Sequence, residues 1–147
     1  MKQIPFILAA LLLTLAGGCS EQIIEKTPVV HMLFSGTVVN RTTGRPIEGL
    51  KVSLADGLAY SSLLPPYNPA CPPAMTDGSG AYRLEYTGKP IIHAFLYFED
   101  IDGPEHGGDF GSAMRPVWID YSQTSMQASD DSWVFDTIEI TVDISIP

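Results

Sequence analysis

Four carboxylates, Asp100, Asp102, Glu105 and Asp109, fall within ten residues. Like charges this dense repel one another and need water, salt or a cation. A hard cation such as Ca²⁺ takes about six to eight oxygen ligands, often from flexible acidic loops. Gly103, Gly107, Gly108 and Gly111 would let backbone carbonyls turn inward to complete such a shell. Asp100, Asp102, Glu105 and Asp109 are therefore candidate calcium ligands. The spacing departs from the EF-hand loop. Counted from Asp100, Pro104 takes the third ligand position and Gly111 stands where the terminal Glu belongs. A solvated acidic loop whose glycines only shape turns explains the same residues.

Other reactive residues are scattered. His31, His93 and His106 match no zinc-ligand spacing, and His93 lies in an apolar run. Gly78-Ser79-Gly80 sits in a turn, and no Gly-x-Ser-x-Gly elbow occurs. Gly107-Gly108 precedes no Lys-Thr or Lys-Ser, so it is no phosphate cradle. No catalytic set emerges, and the chain is expected not to be an enzyme. Cys71, in Asn68-Pro69-Ala70-Cys71-Pro72-Pro73, is one of two cysteines. It is a candidate for modification, for pairing between molecules, or for quiet burial. Trp118, Trp133, Tyr97 and Tyr121 offer flat apolar contact with a polar handle. Tyr60 and Tyr67 are the expected ligand-contact aromatics, because they lie in a proline-rich surface loop.

The first residues give an address. Lys2 precedes an apolar run from Ile4 to Leu15, and small residues then lead to Cys19. That is the order of a secretory signal. The run falls short of the ~20 residues of a membrane span. Leu15-Ala16-Gly17-Gly18-Cys19 resembles a bacterial lipobox, with Cys19 as the acylated first mature residue. The expected layout is a signal peptide at 1–18, a lipidated tether at 19–28 and one domain at 29–147.

Charge divides unevenly along the 147 residues, whose net charge is −9. Residues 19–98 hold 6 acids and 6 bases, whereas residues 99–147 hold 11 acids and only Arg115 as a base. Such a balance disfavours nucleic acid as a partner.

Strand patterns must position these groups, since no helical period appears. Val29–Asn40 is rich in Val, Leu and Phe and runs into a turn at Arg41–Pro46. Leu50, Val52 and Leu54 alternate with polar or small residues, as do Tyr82, Leu84 and Tyr86. Ile91–Phe98 is apolar on both faces, as in a central strand. Thr137–Ile146 alternates without Gly or Pro and predicts one unbroken terminal strand. Gly57–Met75, with five prolines, predicts an extended loop. Glu99–Ala113 and Ser122–Ser132 predict polar loops. The expected fold is an all-β antiparallel sandwich of immunoglobulin-like or transthyretin-like type.

Two stretches carry a resemblance. Ser35–Asn40 with Thr43–Val52, and Thr76-Asp77-Gly78-Ser79-Gly80-Ala81-Tyr82-Arg83-Leu84, resemble carboxypeptidase regulatory-like and transthyretin-like domains. That group includes a hydrolase of a purine-breakdown intermediate. Its His/Arg set and C-terminal signature are absent from this chain, which ends Ile144-Ser145-Ile146-Pro147. Phe98–Phe110, following a lipobox and such a sandwich start, resembles the radical SAM-associated lipoproteins of Bacteroidales-type bacteria. His106 stands where that family commonly has Asn. The resemblance implies a lipoprotein encoded near a radical SAM enzyme. The expectation is a binding or accessory module without catalytic activity. Lipid on Cys19 would hold it at the outer membrane of the bacterial envelope, on either face. The alternatives are a substrate or partner of a radical SAM modification system, and a cation-dependent hydrolase.

Overall fold

The computed structural model describes residues 25–57 and 70–147. The segment expected to be a signal peptide, Cys19, Tyr60 and Tyr67 lie outside the described residues. Among the described residues ten strands form two sheets: β1 (Thr27–Asn40), β2 (Leu50–Asp56), β3 (Ala74–Met75), β4 (Ala81–Gly88), β5 (His93–Asp100), β6 (Ser112–Trp118), β7 (Met126–Ala128), β8 (Ser132–Phe135), β9 (Ile138–Thr141) and β10 (Ile144–Ile146). The fold is an all-β sandwich, as the alternating patterns predict. The one helical element among the described residues is a 3₁₀ turn at Glu105–Gly107. β1 starts at Thr27, so the ordered sandwich reaches two residues into the segment expected to be tether.

The first sheet is built on β1. β4 pairs antiparallel with it from Val30 to Thr37. β8, β9 and β10 follow one another along β1 in parallel, at Thr27–Val29, Met32–Ser35 and Val38–Asn40. β4 and β9 both pair with Met32–Ser35, so they flank β1 on opposite sides. β7 folds back on β8 as a hairpin inside the stretch expected to be a polar loop. The second sheet has the order β3-β2-β5-β6, all antiparallel. β5 is central in it, as its apolar run predicts. β6 is an edge strand and carries Pro116, which cannot donate to a ladder.

The inward faces meet in one core. Val30, Met32, Phe34 and Val38 of β1 and Leu84 of β4 pack in one cluster with Val52, Leu54, Leu96 and Phe98 of the second sheet. Tyr82 joins the layers: its ring meets Phe98 edge-on at 5.4 Å, and its hydroxyl donates to Val142 O at 2.7 Å. Burial pushes its hydroxyl well above the usual tyrosine range. Gly36 is fixed by contact rather than by backbone conformation, since a Cβ there would sit 2.0 Å from Val142 O.

The predicted single C-terminal strand is divided at Val142–Asp143 into β9 and β10. Both halves keep the same register against β1. At the break, Asp143 Oδ1 accepts the Thr37 N–H at 2.8 Å and the Thr37 hydroxyl at 2.9 Å. A side chain there replaces a ladder bond.

Candidate functional site

The acidic loop joins β5 to β6 at one end of the sandwich. Asp100 holds it together. Its Oδ1 accepts the N–H groups of Asp102 and Gly103, and its Oδ2 accepts that of Phe110 at 2.8 Å. Burial works against ionisation of Asp100. The N–H bonds from Phe110, Gly103 and Asp102 outweigh it, and the carboxyl titrates below the usual range. Asp109 Oδ1 accepts the Gly111 N–H at 3.2 Å. Both residues thus turn oxygens toward the backbone of their own loop.

Asp102 and Glu105 instead converge with His106. One donor atom from each lies within 4.8 Å of the others. His106 Nδ1 is 2.6 Å from Asp102 Oδ2. The bond to Asp102 raises the imidazole pKa, with Glu48 and Glu105 adding to it. His106 reaches this position at φ 51° and ψ 28°, in the left-handed region a non-glycine residue rarely adopts. Gly49 makes room, because a Cβ there would sit 2.8 Å from Asp102 Oδ2 and 3.0 Å from His106 Nδ1. Of the four predicted carboxylates the fold therefore brings two together, and it adds a histidine. Sequence spacing could not find that group, since the turn that carries His106 depends on Asp100 and Gly49.

A cleft of about 290 Å³ borders this cluster, between the β1–β2 loop and the acidic loop. Asn40, Thr43, Arg45, Ile47, His106 and Phe110 line it. The Thr43 hydroxyl accepts the Arg45 N–H at 3.3 Å. The Asp102–His106 pair can hold or pass a proton, or offer a nitrogen and oxygens to a cation.

A second feature lies on the outer face of the second sheet. His93, Phe95 and Tyr97 of β5 share that face by their two-residue period. Trp118, Pro116 and Met114 of β6 stand directly across from them. The Trp118 indole lies flat on the His93 ring, at 4.0 Å between centroids and 9° between planes. It is 72% exposed, and Met114 is 42% exposed. His93 also packs against Phe95 at 4.6 Å. On β2, the small residues Ser53 and Ala55 pair with Tyr97 and Phe95. Trp118 and Tyr97 carry this face, while the aromatics singled out in the proline-rich loop lie outside the described residues. The signal for it in the sequence was the alternation His93, Phe95, Tyr97.

Cys71 is a free thiol, 8% exposed and in the core cluster. Burial pushes its pKa up, which keeps it protonated and slow to react. No helix among the described residues is long and apolar enough to cross a membrane.

No family model matches the chain, and no curated protein is similar to it. Among solved structures it is similar to 5-hydroxyisourate hydrolase of Klebsiella pneumoniae, at 18% identity and a TM-score of 0.42, over 78% of this chain and 90% of that one. It is similar to the major pilin subunit of Bacillus cereus at 11% identity and a TM-score of 0.44, over 79% of this chain and 30% of the pilin. With 3-chlorocatechol 1,2-dioxygenase from Rhodococcus opacus it shares 12% identity at a TM-score of 0.42, over 82% of this chain and 64% of the enzyme. The chain spans under a third of that pilin and under two thirds of that dioxygenase. At TM-scores this low the fold assignment rests on the strand pairing itself.

Proposed function

We propose that this chain is a lipid-anchored lipoprotein of the bacterial envelope that works as a non-enzymatic binding module, with the outer face of β5 and β6 as its ligand surface. Trp118 carries the reading. An indole exposed over 72% of its surface, yet held flat on His93, keeps one apolar face open and pre-oriented. Rigid aromatics of this kind bind at low conformational cost. From His93 to Glu99 the face runs about 20 Å along the strand. It ends on the polar row of Lys51, Glu99 and Ser112. A flat apolar surface rimmed by hydrogen-bonding groups suits the CH faces and hydroxyls of a sugar ring. The Leu15–Cys19 motif supports the anchor, and the resemblance carried by Phe98–Phe110 supports the envelope address.

The test is isothermal titration calorimetry of the full chain with neutral hexasaccharides of glucose and of N-acetylglucosamine. Saturable heat that Trp118→Ala abolishes and Trp118→Phe partly keeps is the expected result. No saturable heat with either sugar, or heat indifferent to Trp118→Ala, would overturn the reading.

A divalent cation on Asp102, Glu105 and His106 is a second reading, favoured by their convergence. A nitrogen among the donors suits Zn²⁺ or a neighbouring transition metal better than the calcium expected from carboxylates alone. The family resemblance adds a radical SAM enzyme as a partner. The intact mass of the mature chain tests for modification, of Cys71 or any other residue: a mass equal to lipid plus plain sequence dismisses it.

A further inference from the structure

Sheet edges differ in how they are guarded. Edge strands invite pairing with other chains unless they are short, bulged, or carry proline or charges that an incoming strand cannot match. β3 has two residues, β7 has three, and β6 carries Pro116. β4 has eight residues, no proline, and a glycine only at its last position. Among the described strands it pairs with β1 alone.

The outward groups of β4 follow from its pairing. The Val38 N–H donates to Gly80 O at 2.9 Å, which fixes the hydrogen-bonded phase of the ladder. In an antiparallel pair that phase repeats at every second residue. Tyr82, Leu84 and Tyr86 therefore spend their N–H and C=O groups on β1, and Arg83, Glu85 and Thr87 aim theirs outward. Ala81 also faces out, but Asp77 already takes its N–H and donates to its C=O.

We propose that β4 is the edge through which two copies of this chain pair, antiparallel, about a two-fold axis beside Leu84. Charge selects that register. With Arg83 opposite Arg83′, or Glu85 opposite Glu85′, like charges face each other. With Arg83 opposite Glu85′, both symmetry-related pairs are opposite in sign. Directly opposed charges on paired strands are favourable and like charges are not. Within one copy Arg83 and Glu85 already meet at 3.1 Å, but both are well exposed, at 64% and 73% of their side chains. Such a surface pair is worth little and re-forms across the axis without loss. Four edge hydrogen bonds and two ion pairs make a modest, concentration-dependent dimer. Its two N-terminal segments leave from opposite ends, because the partner strands run in opposite directions.

Sedimentation of the full chain in detergent, over about 1 µM to 1 mM, tests the proposal. The wild type should shift from monomer to dimer. Arg83→Glu and Glu85→Arg should each weaken the dimer by about tenfold or more, since two pairs turn repulsive at once. Mixing the two variants in equal amounts should restore it, because every opposed pair is then of opposite sign. The swap R83E/E85R, which also keeps the pair within each copy, should dimerise like the wild type. A monomer at every concentration, a dimer indifferent to the single reversals, or a mixture that stays monomeric would overturn it.

Discussion

His106 holds a backbone conformation that costs a non-glycine residue free energy, and its bond to Asp102 is what the structure shows in return. The bond raises the imidazole pKa above its ordinary value. The sign of the pH dependence follows. A pKa raised on folding contributes stability that is fully present below the unfolded value of about 6.5 and is lost as pH rises through the folded value. Asp102→Asn removes the carboxylate, so the His106 titration midpoint followed by NMR should fall toward its ordinary value. The part of the stability that declines with rising pH in this window should shrink with it. A midpoint unmoved by Asp102→Asn would show that the contact does not control His106. The sequence displayed Asp100, Asp102, Glu105 and Asp109 as equals. The fold gives them different work, because one carboxylate can satisfy three N–H groups of a tight loop and is then turned away from any shared centre. Nothing in their spacing ranks Asp100 as the one that does so.

Strands with one wet and one dry face were legible because alternation records burial directly. β4 is the case in point, with Tyr82 and Leu84 buried and Arg83 and Glu85 exposed. β6 was not, since Pro116 and Arg115 break the pattern on an edge that solvent reaches. The β7–β8 hairpin escaped for a related reason. All three residues of β7 are exposed, and a strand without a buried face leaves no period. The division of the C-terminal run was also hidden, because Val142 and Asp143 continue the alternation while Asp143 turns its side chain to Thr37, far away in sequence. That bond sets the last expectation at this scale. Asp143→Ala deprives the Thr37 N–H and hydroxyl of their acceptor and should cost about 1–2 kcal/mol in denaturant unfolding. β10 should loosen first, with faster amide exchange at Ile144–Ile146 than at Ile138–Thr141. Equal exchange in both halves would mean that the break is not held by Asp143.

Across the whole molecule, net charge and local geometry make separable claims. Removing residues 1–18 leaves a net charge of −10, all of it owed to residues 99–147. A folded domain with that excess repels itself, so salt should stabilise it by screening alone. Raising NaCl from about 10 mM to 500 mM takes the Debye length from about 30 Å to a few Å, and the melting temperature should rise by a few degrees. A cation held by Asp102, Glu105 and His106 would act differently. Binding to the folded state alone adds RT ln(1 + [L]/Kd), about 2.7 kcal/mol at 100 times Kd, at concentrations too low to screen anything. Zn²⁺ and Ca²⁺ at about 100 µM should therefore be compared with NaCl of equal ionic strength. A rise with Zn²⁺ that exceeds the NaCl control, and disappears in both Asp102→Asn and His106→Asn, identifies occupancy of the cluster. A rise that follows ionic strength whatever the salt assigns the whole effect to screening and removes the cation reading. The acidic second half of the chain would then be a solvating surface, and the aromatic face around Trp118 would stand alone as the ligand surface.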